Sequence, residues 1–267
     1  MALITLKTFS IALKTKTDVQ IILPTPLTSE VMATVTGGPK SDFPYYSDLL
    51  SIPVLYLYHG TFGDSSDWMR FSRIESYAQE YNIAVVMPSA ANSCFRNMPR
   101  GGPQYYDYLT DELPKMINWM FPVSRKREDT FVAGLSMGGY GAFYIGMSQP
   151  ELFSHVACLS GAYGGFTSHG ENSVWALAFE PNEDLKNTDG DCYYLSEKLV
   201  KDNQSYPNLY VCCGTEDFIY DESTRFKAHL EQIGFNHTYH EQKGVHNFDF
   251  WDDEIQRILK WLPINKR

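Results

Sequence analysis

Residues 130–142 read TFVAGLSMGGYGA, and the rest of the chain falls into place around them. Thr130–Leu135 is a short apolar run, the pattern of a strand buried on both faces. Met137–Ser148 has the length and composition of a helix, and Pro150 marks its end. Between the two stands Ser136, in a G-x-S-x-G sequence with Gly134 and Gly138. A serine on so tight a strand-to-helix turn takes a strained backbone conformation, and its neighbours two residues away must be small. Such a turn pushes Oγ out at the carboxyl end of a parallel sheet, where α/β proteins place their sites. It also sets the serine at a helix N-terminus, where N–H groups favour developing negative charge. Gly139 and Gly141 would let that helix lie close to the sheet. The plainer reading is a glycine-rich turn with a capping serine; the strand before it and the helix after it weigh against that.

The same alternation extends in both directions. Upstream, Ile52–Tyr58 and Ile83–Met87 read as buried strands. Asp67–Glu80 reads as a helix with Trp68, Phe71, Ile74 and Tyr77 at helical spacing, after the cap candidates Asp64, Ser65 and Ser66. Tyr105–Phe121 reads as a helix kinked at Pro114. Downstream come strand His155–Leu159, strand Leu209–Cys213, helix Glu222–Ile233, strand Thr238–Gln242 and helix Phe250–Leu262. Repeated βα units predict a mostly parallel sheet with helices on both faces. Residues 3–13 and 18–24 read as an antiparallel N-terminal hairpin, and Pro24–Ser51 as a loop rich in Pro, Gly, Ser and Thr. Residues 162–206 break the alternation. They are polar and poorly periodic, apart from an apolar stretch at Trp175–Phe179, and read as a small cap over one end of the sheet or as a loose surface excursion. With no repeat and no long linker, residues 1–267 read as one domain.

Composition narrows the function classes. The 267 residues carry 22 Lys and Arg against 32 Asp and Glu, a formal charge of −10. Nucleic acid and anionic membrane surfaces attract basic faces, so neither is an expected partner. No run approaches the ~18 apolar residues of a membrane span. The N-terminal apolar stretch is interrupted by Lys7 and Thr8, which argues against a signal peptide. Cys94, Cys158, Cys192, Cys212 and Cys213 form no repeated spacing, and reduced, mostly buried cysteines in a cytoplasmic protein are expected. Cys212 and Cys213 invite a redox-pair reading, but strand neighbours point to opposite faces. No His or Cys spacing resembles a metal site, and no cofactor or metal is expected. A homo-oligomer is compatible with the sequence.

A serine hydroxyl needs a base within reach, and the base an orienting acid. On this architecture they follow in the order serine, acid, histidine. Gly214–Asp217 follows strand Leu209–Cys213, offering Glu216 or Asp217. Gly244–Phe248 follows strand Thr238–Gln242, offering His246. The other histidines lie elsewhere: His229 in a helix and expected at the surface, His237 and His240 in or at the start of a strand, His155 before a strand, His169 in the cap. An oxyanion also needs donors. One is the N–H of Met137, directly after the serine. The second belongs to the loop after Ile52–Tyr58, where Thr61 is preferred and Phe62 is the alternative. His59 there is expected to pack and hydrogen-bond rather than act as a base. Phe62, Trp68, Tyr105, Tyr106 and Trp175 are weak candidates for a substrate pocket, and crowding by them would favour small acyl groups.

His59-Gly60, the run Gly134–Ala142, the Gly214–Asp217 turn and Gly244–His246 together resemble the tributyrin-esterase branch of the esterase D / antigen 85-like α/β-hydrolases. S-formylglutathione hydrolases and feruloyl and acetylxylan esterases share that superfamily. The resemblance covers about Ile52 to Leu262. It implies an α/β-hydrolase fold and a serine carboxylesterase acting on short acyl esters. It further implies Ser136 as nucleophile, Asp217 rather than Glu216 as acid, His246 as base, and Thr61 with Met137 as oxyanion donors. S-formylglutathione hydrolases commonly have His before the serine, where this chain has Leu135, and Thr36–Ser47 is longer than that branch suggests. S-formylglutathione hydrolysis, acyl transfer to a sugar or lipid, and a non-catalytic binding protein of the same fold are the rival readings.

Overall fold

The computed structural model describes residues 1–38, 50–164 and 173–264. Strand β1 (Ala2–Ser10) and strand β2 (Thr15–Leu23) form the expected hairpin, in register from Ala2↔Leu23 to Ser10↔Thr15. Its turn is held from far along the chain. The Glu112 carboxylate accepts from Ser10 Oγ at 2.8 Å and from the N–H groups of Ile11 and Ala12, each at 2.9 Å.

The segment expected as a loop from Pro24 to Ser51 contains a helix, α1 (Thr28–Val35). The Glu30 carboxylate accepts the Leu27 N–H at 2.6 Å and closes its first turn. Loop-like composition hid a run of eight residues free of Gly and Pro. Most of the long Thr36–Ser47 stretch lies outside the described residues, as does His169.

Strand β3 (Val54–Tyr58) follows, with Ile52 bridging to Val123. The helix expected over Asp67–Glu80 is two, α2 (Asp67–Phe71) and α3 (Ile74–Glu80). Local hydrogen bonds divide them: Ser72 Oγ donates to Trp68 O and accepts from Ile74 N–H, while Arg73 N–H donates to Asp252 at 2.8 Å. After strand β4 (Ala84–Pro88) comes α4 (Tyr105–Asp107), a π-helical turn (Tyr108–Glu112) and α5 (Leu113–Met120). The irregularity at Pro114 is thus a widened turn just before it, where the missing proline N–H cannot close an ordinary one.

Strand β5 (Thr130–Leu135), helix α6 (Met137–Ser148) and strand β6 (His155–Leu159) match their expected bounds. The stretch read as aperiodic holds a helix, α7 (Cys192–Lys201), capped by Asp191. It buries Cys192, Leu195, Ser196 and Leu199, a helical spacing that polar neighbours such as Glu197 and Lys198 masked. It packs against α6, so this part of the insertion belongs to the helical layer rather than to a cap. Strand β7 (Asn208–Gly214), helix α8 (Tyr220–Gln232), strand β8 (His237–Gln242) and helix α9 (Phe248–Trp261) complete the chain.

The eight strands lie in the order β1-β2-β4-β3-β5-β6-β7-β8, antiparallel at β1–β2 and β2–β4 and parallel from β4 onward. One face packs residues such as Tyr56, Val132 and Val156 under α5, α6, α7 and α8. The other packs Leu55, Phe131 and Ala157 under α2, α3 and α9. The strand order reverses direction between β3 and β5, so the loops after those two strands open into one crevice, the usual site position in such sheets. All five cysteines are free and buried. Among the described residues no helix is long and apolar enough to cross a membrane.

Candidate active site

Ser136 joins β5 to α6 with φ 54° and ψ −119°, backbone values that a side-chain-bearing residue adopts only under constraint. The constraint is visible. A Cβ on Gly134 would sit 2.2 Å from Gly138 O, and one on Gly138 would sit 2.4 Å from His59 O, so no other residue fits either place without moving backbone. The Ser136 N–H donates to Leu159 O at 2.9 Å, tying the turn to β6. The serine side chain opens into a cavity of about 530 Å³ that is also lined by Thr61, Trp175 and His246.

Two loops bring the candidate acid and the candidate base together. The Thr215 N–H donates to Gln242 O and the Glu216 N–H to Gly244 O, each at 2.9 Å, so the turn after β7 is fastened to the turn after β8. His246 Nδ1 then lies 2.9 Å from both carboxylate oxygens of Asp217. Oδ1 also accepts the Ile219 N–H at 3.0 Å. Burial acts to raise the Asp217 carboxyl, but the hydrogen bonds from His246 and Ile219 outweigh it and hold the group below the ordinary carboxylate range. Glu216 points away: its side chain is 53% exposed and lies 3.8 Å from Lys243. The His246 ring stands 4.4 Å from the Phe218 ring and edge-on to Trp251 at 4.9 Å, which limits its rotation.

Sequence reasoning missed Ser160. It is fully buried directly after β6, accepts from Trp251 Nε1 at 3.1 Å and hydrogen-bonds the Asp217 carboxylate. The signal was available: Ser160-Gly161 ends a parallel strand at the same edge of the sheet as the other loops.

On the opposite side of the cavity the two candidate oxyanion donors separate. The Phe62 N–H is engaged by Asn92 Oδ1 at 2.9 Å. Among the described residues no protein acceptor takes the Thr61 N–H, and its hydroxyl accepts from Trp175 Nε1 at 3.3 Å. Met137 opens α6, where the first N–H groups of a helix have no partner inside it. His59 is buried, with Nδ1 donating to Gly60 O at 2.7 Å and Nε2 accepting the Ala90 N–H at 2.9 Å. Burial lowers its pKa, so it stays neutral and pins the loop.

Of the expected pocket residues, Phe62 and Trp175 line the cavity, and Phe62 stands 78% exposed at its mouth. Trp68 does not; it is 1% exposed, donates from Nε1 to Tyr58 O at 3.0 Å and packs edge-on against Phe248. Tyr105 does not either. It packs against the core on the α5–α6 side, and Tyr106 donates or accepts with Ser148 at 2.9 Å. Helical spacing marked Trp68 as a packed side chain but could not tell core from pocket, and it gave no signal for Tyr105 or Tyr106. Phe218, Phe248 and Trp251 supply the walls instead, with Asp67 and Glu222 among them. His229 is not at the surface: its Nε2 lies 3.2 Å from Ser196 Oγ, between α7 and α8.

A family model described as "Putative esterase" matches residues 42–262. An acetyl esterase of Caldicellulosiruptor saccharolyticus is 29% identical over 272 residues, spanning 98% of each chain. Fluorophosphonate-binding serine hydrolase F (FphF) of Staphylococcus aureus, solved with substrate bound, is 30% identical and superposes with a TM-score of 0.85, again over 98% of both chains. The S-formylglutathione hydrolase FrmB of the same organism is 30% identical with a TM-score of 0.83 over 98% of both. With the eight-stranded sheet, the helices on both faces and the serine turn already described, these likenesses make the fold that of the α/β-hydrolases. The chain belongs to the Esterase family and is a serine esterase.

Proposed function

We propose that this esterase hydrolyses short-chain acyl esters through Ser136, His246 and Asp217, by way of an acyl-enzyme. The observation that carries this reading is the His246 Nδ1 contact to both Asp217 oxygens, in the same cavity as Ser136. Asp217 holds the proton on Nδ1, which leaves Nε2 free to take the Ser136 proton as Oγ attacks the ester carbonyl. The N–H groups of Met137 and Thr61 receive the charge on the tetrahedral oxygen. His246 returns the proton to the leaving alcohol. Water then attacks the acyl-serine by the same steps: His246 takes its proton and passes it to Ser136 Oγ as the carboxylic acid departs. Losing one oxyanion donor typically costs about 3 kcal/mol in the transition state.

The aromatic walls around Ser136, among them Phe62, Trp175 and Phe218, support a preference for short acyl groups. So does the 29% identical relative described as an acetyl esterase. A second reading, S-formylglutathione hydrolysis, is favoured by the likeness to FrmB and disfavoured by Leu135, where such hydrolases commonly have His. We further propose that residues 1–267 act as one domain, that the part of 162–206 around Trp175 covers the site, and that the buried free cysteines reflect a cytoplasmic setting. The test is twofold. A fluorophosphonate probe should label the protein and fail to label Ser136→Ala. The rate on p-nitrophenyl esters should fall from acetyl to decanoyl; a flat profile would refute the short-chain preference.

A further inference from the structure

The cavity holding Ser136 and His246 is walled mainly by aromatic side chains, including Phe62, Trp175, Phe218 and Phe248. Apart from His246, the ionisable side chains lining it are two carboxylates from different elements: Asp67 at the start of α2 and Glu222 in α8. Among the described residues no Lys or Arg lines it. Of the neighbouring cations, Arg70 lies over the Phe71 ring at 5.1 Å and near enough to Asp67 to offset part of its charge, while Lys243, 84% exposed, lies 3.8 Å from Glu216. Glu222 is held toward the cavity by the Gly164 N–H, which donates to its Oε1.

Apolar walls strengthen the field of a charge at their edge, because little water is present to screen it. Aromatic faces add attraction for a cation and none for an anion. An anionic group on either side of the scissile ester would therefore face two like charges, with no Lys or Arg among the described lining residues and only Arg70, behind Asp67, to offset them. We infer that Asp67 and Glu222 make this site charge-selective. Among esters of equal size it takes those with a positively charged or neutral alcohol part, and it disfavours those bearing a carboxylate. The inference rests on the reading that Ser136 and His246 perform the chemistry in this cavity. It also argues against S-formylglutathione as a good substrate, since glutathione carries two carboxylates against one ammonium.

The test compares kcat/KM for three acetates of similar size at low salt: acetylcholine, 3,3-dimethylbutyl acetate and 4-acetoxybutanoate, with S-formylglutathione as a fourth substrate. The cationic ester should exceed the anionic one by about tenfold or more, as a charge pair screened at an effective dielectric constant of about 20–40 implies. Glu222→Gln and Asp67→Asn should each narrow that ratio, and the double variant should bring it to within about twofold. Because the three esters are read in one preparation, partial misfolding lowers all rates and leaves the ratio intact. A parent ratio near one, or a ratio unmoved in the double variant, overturns the inference while hydrolysis of the neutral ester leaves the esterase reading standing. Preferential turnover of S-formylglutathione overturns it as well. Loss of all hydrolysis would instead remove the esterase reading, and this inference with it.

Discussion

Replacing Asp217 by Asn keeps the shape of the side chain and removes its charge. In the parent, His246 Nδ1 lies 2.9 Å from both oxygens, and Ile219 N–H donates to Oδ1 at 3.0 Å. An amide has only one oxygen for two donors. If it stays on the Ile219 N–H, the amide NH2 faces His246 Nδ1, and the imidazole is driven to the tautomer with its proton on Nε2. That ring cannot accept the Ser136 proton. The imidazolium that forms as Ser136 attacks also loses its counter-charge. In a serine protease the same change of a triad acid costs about 10⁴-fold in kcat, which corresponds to about 5.5 kcal/mol of transition-state stabilisation. Asp217→Asn should therefore lower kcat on a p-nitrophenyl acetate assay by about 10³- to 10⁴-fold, with KM little changed. The folded state should lose part of its stability at neutral pH, since the hydrogen bonds to the charged carboxylate outweigh its burial cost and the amide keeps only some of them. Its carboxyl sits below its ordinary range, so it favours the folded state above that range and ceases to do so as pH falls through it. The parent should accordingly lose more stability on acidification than the variant. A variant that is correctly folded by circular dichroism and retains activity within tenfold of the parent would refute the reasoning.

Gly138→Ala places a Cβ 2.4 Å from His59 O and 2.8 Å from Tyr58 O, both backbone atoms, so the turn must open; urea unfolding should show a loss of at least about 2 kcal/mol. Glu112→Ala strips three donors at the hairpin turn of their acceptor and should cost roughly 2–4 kcal/mol in the same measurement, whereas Glu112→Gln should recover part of it. Burial, aided by the nearby Arg127, lowers His155 to about 4. The unfolded chain therefore binds a proton between about pH 6.5 and 4 that the folded chain does not, and stability falls as pH drops through that window. His155→Gln should narrow the difference in denaturation midpoint between pH 7 and pH 5; an unchanged difference would count against a buried neutral imidazole.

The strands were legible because parallel strands buried on both faces leave uninterrupted apolar runs, as at Thr130–Leu135 and His155–Leu159. The serine turn was legible because steric exclusion at Gly134 and Gly138 writes itself into residue identity. Short helices were less so. Helix α7 carries its apolar spacing within a polar stretch, and the break at Ser72-Arg73 depends on a hydrogen bond to Asp252, far along the chain. Pocket walls were the least legible. Trp68 and Trp251 are both nearly buried aromatics on helices, and only the three-dimensional arrangement places Trp251 against His246 and Trp68 in the core against Phe248. Ser160 was legible only as a strand-end serine at the same sheet edge; its contacts to Trp251 and to the candidate acid Asp217 come from distant parts of the chain.

The two loops after β7 and β8 are laced to each other by backbone hydrogen bonds at Thr215–Gln242 and Glu216–Gly244. Lengthening either one by a single residue would slip that lacing and pull the imidazole off its carboxylate. The insertion around Trp175 reaches the floor of the cavity at Thr61, whose hydroxyl accepts from Trp175 Nε1. Anyone wishing to retarget this enzyme to a new ester should graft and randomise there, and leave the two final turns of the sheet at their present length.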